Sequence, residues 1–173
     1  MTNAARRNHP LGASVDASAE AAPVEPVEKD FENARTLVEA TIRKIGLDPA
    51  TTRAPASADS VAAWTLKRGS ASVLVTVTQH DDGATYLRVA SPVVTLPADP
   101  GRHGAIMRKV LELNASGLVN AAFGLIGDRV VAVSERPAAG LDAGEVEQIV
   151  KHLSAVADTF DDRLAKEFGA IKA

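Results

Sequence analysis

Apolar residues recur along this chain with two different periods, and the switches between them divide it into elements. From Val27 the spacing is helical: Phe31, Ala34, Val38, Ile42 and Ile45 fall on one stripe, and Gly46 follows where a left-handed cap belongs. Leu47 to Ser60 is turn-rich and predicts a connection. Over residues 61–96 the period drops to two. Trp64 and Leu66 share one face of a first strand, and Val73, Val75 and Val77 alternate with Ser72, Thr76 and Thr78 on a second. Asp82-Gly83 supplies a tight connection to a third strand around Tyr86 to Ala90.

Helical spacing returns after Pro97 and Pro100. Ile106, Val110 and Leu113 form a stripe with Met107 and Leu111 beside it, over Arg102 to Asn114, and Asn114 is expected to end this helix. Val119 to Ile126 and Arg129 to Glu135 then read as a hairpin. Gly127-Asp128 places glycine first in a two-residue loop, as a type II′ turn requires. That turn fixes a register in which Leu125 faces Val130 and Phe123 faces Ala132, with Ala122, Gly124, Val131 and Val133 on the other side. Asp142 and Glu145 have the spacing of a capping box, and Val146, Ile149, Val150, Leu153, Val156, Phe160, Leu164 and Phe168 make the longest apolar stripe.

The order α-β-β-β-α-β-β-α predicts an α+β fold, an antiparallel five-stranded sheet with three helices. Residues 1–26 are rich in Ala, Ser, Pro and Glu and hold few large apolar side chains, which predicts a disordered tail before one domain over residues 27–173. A hydrophobic content of 46% over 173 residues is enough for a core.

Composition narrows the chemistry. The net charge of -3 gives no general attraction to phosphate backbones or acidic lipid, so neither nucleic acid nor membrane is an expected partner. With no cysteine, thiolate metal sites, disulfides and cysteine nucleophiles are excluded. Arg6 and Arg7 are not followed by the apolar stretch of an export signal, so a cytoplasmic location is expected. His9, His80, His103 and His152 are scattered with no metal-ligand spacing, and His80, Asp81 and Asp82 beside Gly83 are what a turn selects. Asp158, Asp161 and Asp162, with Arg163 and Lys166 close behind, read as a solvated helix face. There is no G-x-S-x-G elbow and no phosphate cradle. Asn114-Ala115-Ser116 matches a glycosylation sequon, which carries meaning only in a secretory pathway. The expectation is no catalytic residue, no metal and no cofactor.

One pattern remains unexplained. A strand with one wet face alternates apolar and polar residues, yet the hairpin from Ala121 to Val133 is nearly all apolar on both faces outside its turn. Something covers the second side: the helix before it, a second copy of the chain, or a client peptide.

The segment from Leu111-Glu112-Leu113-Asn114 through Phe123-Gly124, the Gly127-Asp128 turn and Leu141-Asp142 resembles the carboxyl half of the YbjN family, sometimes labelled bacterial sensory transduction regulators. It is also similar to the class I type III secretion chaperones. The resemblance implies a non-enzymatic, chaperone-like or regulatory protein that binds a protein client or regulatory partner, expected as a homodimer. An extended client is expected to pair at a sheet edge and to bury side chains on apolar patches, with Trp64, Leu74, Phe123, Val131 and Val133 as the candidate partner-binding residues. The alternative is a small-ligand sensor, which needs a cavity of roughly several hundred Å³ between sheet and helices.

Overall fold

The computed structural model describes residues 27–56, 61–68 and 71–173; the disordered tail predicted for residues 1–26 lies outside the described residues. Helix α1 (Val27–Lys44) carries the first stripe, with Ala34, Val38 and Ile42 buried. It stops in a Schellman motif: Gly46, at φ 86°, donates to the Arg43 carbonyl at 3.0 Å, and Leu47 donates to that of Ile42 at 3.1 Å. The connection predicted after it contains one short turn of helix, α2 (Pro49–Thr52), capped by the Asp48 side chain.

Strands β1 (Val61–Arg68), β2 (Ala71–Gln79) and β3 (Thr85–Thr95) form the expected meander. Helix α3 (His103–Ser116) follows a single 3₁₀ turn. The hairpin β4 (Ala122–Ile126) and β5 (Arg129–Pro137) closes on Gly127 at φ 61°. Its register pairs Phe123 with Ala132 and Leu125 with Val130, as the two-residue turn dictates. Helix α4 (Ala143–Phe168) opens with the Asp142–Glu145 capping box, both hydrogen bonds formed, and a two-residue strand β6 (Ile171–Lys172) ends the chain. The sheet runs in the order β1-β2-β3-β5-β4, with β6 beside the far end of β3. The α+β class and helix–strand order are as predicted, with α2 and β6 added.

β3 is longer than the expected stretch around Tyr86 to Ala90, and Pro92 sits inside it. Beyond Ala90 the pairing with β2 has ended, so the missing proline N–H costs no ladder bond on that side, and a bulge between Pro92 and Val94 bends the strand. β6 takes up the vacated edge at Val94 and Thr95. Lys172 secures it by ion pairs to Asp161 at 3.5 Å and to Asp162, and that carboxylate bond raises the lysine pKa.

All the main core side chains lie on one face of the sheet. Trp64, Leu66, Val73, Val75, Val77, Leu87, Val89, Val130 and Ala132 meet α1 and α4 there. Trp64 is fully buried, with the Arg53 guanidinium 5.0 Å from its ring centre. Phe123 packs edge-on against Phe160 at 5.3 Å. Lys44 reaches Glu147 across the α1–α4 contact at 2.9 Å. The bond from Lys151, with that from Lys44, holds the Glu147 carboxyl down at about 2. The pocket between α1, α4 and the sheet around Ile42, Val75 and Val146 holds about 10 Å³, no more than one water occupies.

Candidate peptide-binding surface

The helices cover one face of the sheet and leave the other without a described helix: α1 and α4 pack on the core side, while α3 lies along the outer edge of β4. Register places four apolar residues in one row across this uncovered face. Leu74 lies opposite Ala90, Ala90 opposite Val133, and Val133 opposite Ala122. At the usual spacing between strands the row spans roughly 14 Å. A second row, Pro92, Val131 and Gly124, runs beside it, and on the other flank Arg88 and Glu135 form an ion pair at 3.0 Å. The result is an apolar strip with a polar border, on a face where alternation alone predicts polar side chains.

The five candidate residues divide by face. Leu74, Val131 and Val133 come together on the uncovered side, where Leu74 is 39% exposed, Val133 half-buried and Val131 only 5% exposed between its neighbours. Trp64 (0%) and Phe123 (6%) lie on the opposite side, inside the core under the helices. The hairpin register separates Phe123 from Val131 and Val133, as read from the turn, but does not say which face the helices would take. The hairpin register already puts Ala122 beside Val131 and Val133, whereas Ala90, a small residue that completes the row, carries no signal of its own in the sequence.

The sheet edges are partly closed. On β1, Ala54 N–H donates to the Ala63 carbonyl at 2.9 Å, and Arg53 bridges Trp64. On β4, the Asn114 amide Nδ2 donates to the Phe123 carbonyl at 3.0 Å, and its Oδ1 accepts from the Phe123 N–H at 2.7 Å. Asn114 therefore does not end its helix, which continues to Ser116 and closes with Gly117 donating to Leu113 at 2.8 Å. Its side chain occupies both backbone groups that a neighbouring strand would use. Residue identity showed a cap former; only the fold shows that Phe123, nine residues on, is its partner.

The other polar candidates have local partners. His103 Nε2 lies 2.7 Å from the Pro97 carbonyl, His152 Nε2 lies 2.8 Å from that of Val119, and the His80 ring packs on Tyr86 at 4.8 Å. Among the described residues no group of three His, Asp or Glu is placed to hold a metal ion, and no helix is long and apolar enough to cross a membrane.

The family model TY-Chap1, described as "T3SS (YopN, CesT) and YbjN peptide-binding chaperone 1", matches residues 32–171. Among curated proteins none matches significantly. Several solved structures share the fold. One is the heterodimeric ExoU-SpcU complex from the type III secretion system of Pseudomonas aeruginosa, at TM-score 0.50 and 12% identity, covering 72% of this chain and 95% of that one. Another is the HopA1-SchA chaperone-effector complex, at TM-score 0.50 and 12% identity, covering 81% and 99%. The ExsC-ExsE complex aligns at TM-score 0.51 and 17% identity, covering 76% and 93%.

Proposed function

Since this chain belongs to the TY-Chap1 family of type III secretion and YbjN peptide-binding chaperones, we propose that it is a non-enzymatic, chaperone-like module that holds an extended segment of a partner protein on its uncovered sheet face. The observation that carries this reading is the row Leu74, Ala90, Val133 and Ala122, apolar side chains in register that no described helix covers. An extended peptide presents a side chain every second residue to one face, the geometry such a strip accepts. Trp64 and Phe123 are left out of this surface, because reaching them would require opening the core.

The working unit is proposed as one domain over residues 27–173 and as a cytoplasmic homodimer. Support for the dimer is the outer stripe of α3, where Leu111 is 65% exposed beside Met107, Gly104 and Ala115. Selection of a phage-displayed random peptide library on the immobilised protein tests the binding reading. Enrichment of peptides with alternating apolar residues is expected; no enrichment above an unrelated α+β protein contradicts it.

A further inference from the structure

β5 continues to Pro137, but β4 does not run beside it all the way. β4 starts at Ala122, opposite Val133, and Asn120 just before it takes φ 52°, a left-handed turn that carries the chain off the ladder. His152, bonded to the Val119 carbonyl, ties the departing segment to α4. The sheet therefore has a notch beside Ser134 to Pro137, in line with β4. Clefts open on both sides of it: about 300 Å³ toward α4, next to Gln148 and Ile149, and about 470 Å³ on the uncovered face, next to Ala122 and Val133. Asn120, Ser134 and Arg136 border both.

Backbone direction makes the notch receptive. The Phe123 N–H and C=O point away from β5, toward Asn114, so by alternation those of Val133 and Glu135 point toward the β4 side. At Glu135 there is no longer a β4 residue to meet them. The next side chain, Arg136, lies on the α4 side of the sheet, is exposed, and forms no hydrogen bond or ion pair with another described residue. The carboxylates nearby are engaged, Glu145 in the capping box and Glu135 with Arg88.

We propose that the notch takes a short extended stretch of a bound polypeptide, about four residues long, in line with β4, and that Arg136 favours stretches carrying a carboxylate side chain. The inference rests on the peptide-binding reading and adds its entry point and charge preference. The stretch pairs its backbone with Glu135, directs the acidic side chain into the cleft with Arg136, and lays small apolar side chains beside Ala122 and Val133.

Two blocked peptides, acetyl-Ala-Val-Glu-Val-Ala-amide and the same sequence with Lys for Glu, are titrated into the ¹⁵N-labelled full chain and into Arg136→Glu and Arg136→Gln. Amide shifts centred on Asn120, Glu135, Arg136 and His152 are expected. The Lys peptide binds about threefold more weakly, Arg136→Gln loses the difference, and Arg136→Glu reverses it. Shifts centred elsewhere, or equal affinity for both peptides, overturn the notch while leaving peptide binding intact. Absence of shifts with either peptide also overturns the notch, and the library selection then judges the broader reading separately.

Discussion

Asn114 binds Phe123 through both backbone groups of the residue, taking the place at the edge of β4 that a further strand would occupy. Replacing the amide by Ala leaves a half-buried N–H and C=O without partners. Loss of a hydrogen-bonded pair of this kind costs about 1–3 kcal/mol, offset by a few tenths from better helix propensity. Asn114→Ala is therefore expected to lower the urea midpoint by the equivalent of about 1–2 kcal/mol and to speed hydrogen exchange at Phe123. An unchanged midpoint and exchange rate would show that the bond is incidental.

Core and candidate surface are expected to respond oppositely to truncation. Trp64→Ala removes a fully buried side chain and should destabilise the fold by about 3–5 kcal/mol, read from denaturant unfolding. Leu74→Ala, on the uncovered face, should cost well under half of that. Because Trp64 is the only tryptophan, its fluorescence should report unfolding but stay nearly constant when peptide binds. A large emission change on peptide addition would place the binding site in the wrong part of the molecule.

The ion pairs of Glu147, first with Lys151 one turn along α4 and then with Lys44 of α1, set a pH dependence. The Glu147 carboxyl is held at about 2, below the ordinary value of 4.5. A carboxyl depressed in the folded state adds stability that is fully present above its unfolded pKa and is lost as pH falls through the folded one. The difference in melting temperature between the native chain and Glu147→Gln should thus be constant near neutrality and shrink between pH 4.5 and about 2. A difference independent of pH across that window rules out these ion pairs as a source of stability.

The carboxy-terminal strand has the opposite sign. Lys172 is raised by its bond to Asp162, so the contribution of the pair is present below the ordinary lysine value and fades as pH rises above it. At neutral pH, Lys172→Ala should accelerate hydrogen exchange around Val93 to Thr95, the segment β6 covers. Exchange confined to the native rate would mean that β6 is held by its backbone pairing alone.

Much of this fold was legible because its strongest signals are local. The Gly127-Asp128 turn fixes the hairpin register, Gly46 supplies the left-handed helix cap, and the Asp142–Glu145 spacing starts α4; each acts within a few residues. Features that depend on distant partners were not legible. Period two separated Phe123 from Val131 and Val133 within the hairpin without showing which face would meet the helices. Asn114 was recognisable as a cap former, but its bond to Phe123 exists only once α3 lies along β4. Ile171 and Lys172 are too few to show a period, and the extension of β3 past Ala90 depends on β5 and β6, which pair with it there.

The dimer is tested at Leu111. If α3 stripes pair across two copies, Leu111→Glu places a charge in that contact. Light scattering after size exclusion should then show a dimer for the native chain at micromolar concentrations and a monomer for the variant. A native chain that is monomeric throughout contradicts the pairing.

The most direct test of the peptide-binding face is the affinity of a library-selected peptide for the native chain, Leu74→Asp and Val133→Asp, measured by fluorescence anisotropy beside each protein's melting temperature. Losing one apolar contact and gaining a desolvated charge should weaken binding at least about tenfold in each variant, while the melting temperature changes little for the more exposed Leu74→Asp and falls for Val133→Asp without loss of the folded state. Equal affinity for all three proteins would contradict the assignment of this face.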